Sequence, residues 1–250
     1  MANLSDYFPQ INVAVDAKSS LLGKMLSWWS MNEASGNSRV DSHGINDLAE
    51  NGVGIPNATG KLGNAIHFAG SGASNLVLTS SASNLISNGS FTLSGWVNFD
   101  SVATGANQYV VSRADNGANA TNEIDFGLWF NDSTDKLTAR MVSGSTAYDA
   151  EFNQVISIAT WYHVKLFYDS INNLVGIKLN NSAATTTSTS GRLNTGGDQF
   201  KFGRLSFSAG WQAYFDGLCD EWSYYSNVTT DEEDAWLYNG GAGRVYSDFT

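Results

Sequence analysis

Glu123 and Asp125 are the acidic pair whose spacing comes nearest to a catalytic arrangement. They alternate with Ile124, Phe126, Leu128 and Phe130, so both carboxylates fall on one face of a predicted strand. Side chains two residues apart on a strand stand ~6.6 Å apart. A retaining glycosidase holds its nucleophile and its acid/base ~5–5.5 Å apart. The pair is therefore a poor fit, and the plain alternative is a polar outer face with cross-strand partners. No Ser–His–Asp or Cys–His set is suggested by spacing. Cys219 lies in a strand beside acids, and the three histidines are not paired at zinc-ligand spacing. The aromatic residues point to a different chemistry. Sugars bind through an apolar face stacked on an aromatic ring and hydroxyls met by planar polar groups. Trp129 shares its strand face with Glu123 and Asp125, and Trp211 stands in the small-residue loop Ser208–Gln212. These four residues are the carbohydrate-binding candidates.

Composition narrows the field. The 250 residues carry 13 Lys+Arg against 24 Asp+Glu, a formal charge of −11, which argues against binding a phosphate backbone. Only 15% of the chain is charged, below the ~25% of an average soluble protein. Gly, Ser, Thr and Asn supply the polarity instead. One cysteine excludes an internal disulfide framework. No Lys or Arg precedes Lys18, and Tyr7-Phe8-Pro9-Gln10 interrupts any leader-like apolar run. No segment approaches the ~20 apolar residues of a membrane span. The expectation is a protein made in the cytosol that leaves a cell by lysis or on a particle, with no membrane insertion.

The elements that must hold these side chains are mostly strands. Phe91–Phe99, Lys136–Val142, Trp161–Asp169, Leu174–Asn180 and Phe200–Phe207 alternate with period two, and Gly/Asn/Asp turn clusters separate them. Thr230-Asp-Glu-Glu233 has capping-box spacing, predicting a helix over about Asp231–Tyr238 with Ala235, Trp236 and Leu237 toward the body and Gly240 as its stop. The Thr-rich tract 183–190 reads as a solvent-facing edge strand. Residues 1–20 stand apart. Ile11, Val13 and Val15 alternate as a short strand would, either an edge of the same domain or an arm that adds to a neighbour's sheet. The predicted fold is all-β, a two-sheet antiparallel jelly roll with one short C-terminal helix.

Five stretches in order carry a family resemblance. They are Leu22–Gly36 with Asp41-Ser-His-Gly44, Gly60–Gly70, Phe91–Val97, Trp161–Val164, and Phe215–Tyr225 leading to Leu237–Gly241. Together, over roughly residues 20–245, they resemble laminin-G-like jelly rolls of the concanavalin A-like superfamily, and phage virion versions of it in particular. The resemblance implies two sheets packed face to face, with residues 1–20 as an N-terminal arm or edge strand and 21–250 as the domain. It implies that Trp28, Trp96, Trp161 and Trp222 fill the core or its rim. Hydrolases of the superfamily carry Glu-x-Asp-x-Glu, or a form with one more residue inserted. Here the second Glu is replaced by Gly127 or Leu128, so catalysis is not expected. Members often hold a structural calcium between the N-terminal loop and the last strand, which nominates Glu33, Asp41, Asp216 and Asp220. In strict alternation Asp220 would share a face with Trp222 and Tyr224, a position that calls for a cation or a buried donor.

The sequence thus predicts a non-catalytic binding or structural module of a larger assembly, foremost a bacteriophage capsid-decoration or tail-fibre component with glycan binding. Its partners would be other virion proteins or its own copies through residues 1–20, in an oligomer or lattice. The alternatives are a cell-surface or secreted bacterial lectin-like module and, third, a glycoside hydrolase.

Overall fold

The computed structural model describes residues 9–52, 54–70, 74–78, 85, 89–102, 104–114, 117–118, 124–191, 199–207 and 212–250. Glu123 and Trp211 lie outside the described residues. The chain opens with helix α1 (Pro9–Lys24) and enters strands β1 (Met25–Trp29), β2 (Leu48–Asn51), β3 (Asn57–Thr59), β4 (Asn64–Ala69) and β5 (Asn75–Leu78). There follow β6 (Phe91–Phe99), β7 (Gln108–Ala114), β8 (Gly117–Ala118), β9 (Ile124–Asn131), β10 (Lys136–Ser143) and β11 (Thr146–Val155). Then come β12 (Trp161–Asp169), β13 (Leu174–Leu179), β14 (Thr185–Ser188), β15 (Gln199–Phe202), β16 (Arg204–Phe207), β17 (Gln212–Tyr214) and β18 (Asp216–Tyr225). Helix α2 (Asp231–Tyr238) and two short 3-10 turns close the chain.

Two sheets face each other. One runs β14-β13-β12-β6-β18-β4-β3 with β1 paired to β18, the other β11-β10-β9-β7-β15-β5-β2. Phe91, Leu93, Val97 and Phe99 of β6 meet Phe126, Leu128 and Phe130 of β9 in the shared core, as the period-two pattern requires. The Thr-rich tract is the edge strand β14, with alternating exposure. The fold is the expected all-β sandwich with a short C-terminal helix.

Four local expectations are corrected. Ile11–Val15 lie in helix α1, not in a strand. The pattern at 11, 13 and 15 competes with a four-residue spacing, Val13, Ala17 and Leu21, and the helical period wins because Leu21 docks with Met25, Trp28, Tyr225, Leu237 and Phe249. One continuous helix runs across residue 20, where the arm was expected to end. In α2 the capping box is present, with the Thr230 N–H donating to Glu233 Oε2 at 2.8 Å and the Glu233 N–H to Thr230 Oγ1 at 3.3 Å. Leu237 is buried there, but Ala235 faces solvent, and Asn239 at φ 49°, not Gly240, forms the left-handed cap.

The fourth correction shapes the functional surface. The expected strand Phe200–Phe207 breaks at Gly203, whose φ of 88° is left-handed. A Cβ there would lie 2.3 Å from the Phe68 ring. β15 stays in the second sheet, while β16 leaves it to pair with β17.

Candidate functional site

The β16–β17 hairpin lies over the outer face of the second sheet. Beneath it Trp129 is 6% exposed and packs with Tyr109, Ala114, Ile124, Val142, Leu205 and Ala213. Its ring stacks on Tyr109 at 5.8 Å and 13°. The Arg140 guanidinium covers it at 4.9 Å and is forked onto Asp149 at 2.8 and 2.7 Å. Burial pushes the Tyr109 hydroxyl up to about 12. Trp129 is thus part of a second small core and no open platform. Alternation placed it on the correct face, but could not tell that another segment covers that face.

Asp125 is fully buried and ion-paired with Arg113. At Gly127, where a partner carboxylate would have to stand, a Cβ would lie 2.9 Å from the Tyr109 ring. Among the described residues Tyr109, Trp129 and Leu205 pack together on that face.

The four nominated calcium ligands do not gather. Asp41 accepts backbone hydrogen bonds from Trp28 (2.9 Å), His43 (3.1 Å), Gly44 (2.9 Å) and Asn46 (3.0 Å), and so organises its own loop. Asp216 accepts from Ser101 on another side of the sandwich. Glu33 accepts from the Val40 N–H at 2.8 Å. Asp220 does not share a face with Trp222 and Tyr224. The β18 register shifts between Asp220 and Ser223, and Glu221 has a φ of 46°. This bulge lets Cys219 and Trp222 both enter the core while Asp220 stays out of it and accepts from the Leu62 N–H at 2.8 Å.

The bulge brings in a residue that the sequence reading passed over. Glu221 is 3% exposed and accepts from the Trp28 indole at 2.5 Å. Glu33 Oε2, Asp220 Oδ1 and Glu221 Oε1 are buried oxygens without a hydrogen-bond partner. Burial pushes Asp220 up to about 7. Burial and then the neighbouring Asp220 charge push Glu221 up to about 9. Among the described residues no three His, Cys, Asp or Glu side chains form a ready-made metal site.

An open groove lies where the β16–β17 hairpin returns to β18. Tyr214, half-buried, divides it into two lobes that share Ala69 and Gly70. One lobe, about 190 Å³, has the Phe68 and Phe215 rings in its lining along with His67 and Gly203. The other, about 180 Å³, has the polar side chains of Ser101, Asn107, Gln108 and Asp216 in its lining. Its side chains are held in place. Gln108 donates to the Ser101 carbonyl and accepts from the Asp216 N–H, each at 2.9 Å. His67 Nε2 faces Asp100 Oδ2 at 2.6 Å. The Arg204 guanidinium stands 6.0 Å from the Tyr214 ring centroid. An aromatic ring beside fixed carboxylate, amide and hydroxyl groups is a surface that can stack a sugar and bind its hydroxyls. Apart from Asp216, which was nominated for calcium, none of these residues was singled out in the sequence as a site residue. They come from stretches near 67, 101–108, 203 and 214–216 that only the fold joins.

Among the described residues no helix is long and apolar enough to cross a membrane. No curated protein sequence is significantly similar to the chain. Solved structures with the same fold include domain 4 of AbnA, a GH43 extracellular arabinanase from Geobacillus stearothermophilus, in complex with arabinotriose. It is 20% identical with a TM-score of 0.64 and aligns over 88% of this chain and 98% of that one. Trypanosoma rangeli sialidase aligns at 14% identity and TM-score 0.63, over 94% of this chain but 39% of the sialidase. Botulinum neurotoxin type C, described as depending on two ganglioside molecules for its passage into cells, aligns at 11% identity and TM-score 0.65, over 90% of this chain and 53% of the toxin chain. These likenesses establish a shared fold. A laminin G family model matches residues 71–233, well over half of the chain, so the chain belongs to the concanavalin A-like lectin/glucanases superfamily.

Proposed function

We propose that the chain is a non-catalytic carbohydrate-binding module and that the Tyr214 groove is its glycan site. The observation that carries this reading is the half-buried Tyr214 ring between an apolar lobe and a lobe of fixed polar groups. The arabinanase domain, solved with arabinotriose and matched over nearly its whole length, supports a sugar-binding role. The buried Asp125–Arg113 pair and the ring packed on Gly127 speak for binding without turnover. Calorimetric titration against an oligosaccharide panel tests it. Tyr214→Ala should weaken binding about ten-fold or more, the loss of one buried aromatic anchor. Unchanged affinity in that variant overturns the groove as the site.

The finer reading is a module mounted on a larger assembly, a bacteriophage particle foremost, with a bacterial cell-surface lectin-like module as the alternative. Helix α1 lies outside the matched residues 71–233 and is the natural link to such an assembly. Solution mass separates the two: an assembly component should form a symmetric oligomer, a cell-surface module a monomer. Bound calcium would be structural, drawn to the unpartnered Asp220 and Glu221 oxygens of the β18 bulge. There its charge would offset that of the two buried carboxylates.

A further inference from the structure

We infer that the Tyr214 groove accepts two consecutive units of a neutral glycan and rejects sugars that carry a carboxylate. The inference rests on the groove being the glycan site. The two lobes adjoin along Ala69, Gly70 and Tyr214, and each holds about six liquid-water volumes, the room of a single sugar ring. Tyr214 stands between them, where successive rings of one chain would meet it. The selectivity follows from charge. Asp216 lines the second lobe, and Asp100 stands beside it, its N–H donating to the Asp216 carbonyl at 3.1 Å. Asp132 accepts from the Gly105 N–H at 2.9 Å and so backs the loop that forms the lobe's far wall. Against these three carboxylates stand His67, already turned onto Asp100, and Arg204, on the Tyr214 ring. Carboxylate oxygens are strong acceptors for neutral sugar hydroxyls. A uronic or sialic acid would place a like charge among them, with no uncommitted cation among the described residues to meet it, and such juxtapositions oppose binding. The chain's overall charge of −11 acts in the same direction.

The test titrates the full chain with matched oligosaccharide pairs, each a uronic acid-containing glycan and its carboxyl-reduced neutral counterpart. The neutral member should bind at least ten-fold more tightly, and Asp216→Asn should narrow the gap several-fold. Tyr214→Ala should weaken binding of the neutral member about ten-fold or more. Equal affinity within pairs, still weakened in Tyr214→Ala, overturns the charge selectivity and leaves the groove as the site. Binding left unchanged by Tyr214→Ala overturns the site itself. Equal preference for mono- and disaccharides overturns the two-ring assignment.

Discussion

Trp28 donates its indole N–H to Glu221 at 2.5 Å, and this is the only hydrogen bond the Glu221 carboxylate receives among the described residues; its second oxygen is buried without a partner. Two neighbouring residues, Asp220 and Glu221, thus hold carboxylates at the same bulge, each with one oxygen to spare.

From this follows the calcium prediction. Without a cation the folded pair holds its protons well above the unfolded carboxylate values. Stability should therefore fall as pH rises from about 4.5, the ordinary Glu value, toward about 9, because the folded state keeps a proton that the unfolded chain has released. Calcium should replace those protons and raise the melting temperature, more at pH 8 than at pH 5. A hundredfold excess over Kd corresponds to ~2.7 kcal/mol. Glu221→Gln should shrink the effect. Coincident melting curves in calcium and in chelator at pH 8 remove the metal from the account.

His163 should set a loss of stability in acid. Its ring lies 5.1 Å from Trp96 and 6.0 Å from Tyr238, and burial pushes its pKa down to about 4. Below the ordinary value of 6.5 the unfolded chain takes up a proton that the folded chain refuses, so stability declines as pH falls from 6.5 to about 4. The slope is ~1.4 kcal/mol per pH unit, ~3 kcal/mol in all. Chemical denaturation at several pH values should show a flatter profile for His163→Gln over that window. Superimposable profiles would mean that the histidine already charges in the fold.

Asp234 should be the costliest acid to remove from α2. It is buried and binds Lys165 at 2.9 Å, Lys178 at 2.7 Å and the Thr229 hydroxyl at 2.6 Å. Asp234→Ala leaves two buried ammonium groups short of their shared counter-ion and should cost about 3–5 kcal/mol. Asp231 binds the same Lys178 at 2.7 Å, but its side chain is 91% exposed. Asp231→Ala should cost ~1 kcal/mol or less. Urea denaturation of the two variants gives the comparison directly, and equal costs would contradict the assignment.

The N-terminal helix should divide into a docked and a dispensable half. Leu21 is fully buried, and Lys24 pairs with Glu233 at 2.6 Å, so the last turns belong to the domain. Leu21→Ala should cost about 2–4 kcal/mol. Deleting residues 1–16 should leave a soluble protein that melts cooperatively. If the shortened protein aggregates instead, the whole helix is part of the domain.

The sequence by itself determined the strands at Phe91–Phe99, Lys136–Val142, Trp161–Asp169 and Leu174–Asn180, the capping box at Thr230, the edge position of the Thr-rich tract and the sandwich class. Each depends on periodicity or on contacts three residues apart, which are local and survive without a partner. It also put Trp129 and Asp125 opposite the main core, correctly. What covers that opposite face is a nonlocal matter. A left-handed Gly203 sends β16 away from its sheet, and the returning hairpin buries Trp129 and opens the groove at Tyr214. The bulge at Glu221 belongs to the same class of event, since one extra residue reversed which side chains face the core and left Asp220 and Glu221 each with a buried unpartnered oxygen. Helix α1 was decided between two periods by what Leu21 could reach. Local pattern fixes which side of an element is apolar, and only tertiary packing decides what that side, or its reverse, will meet.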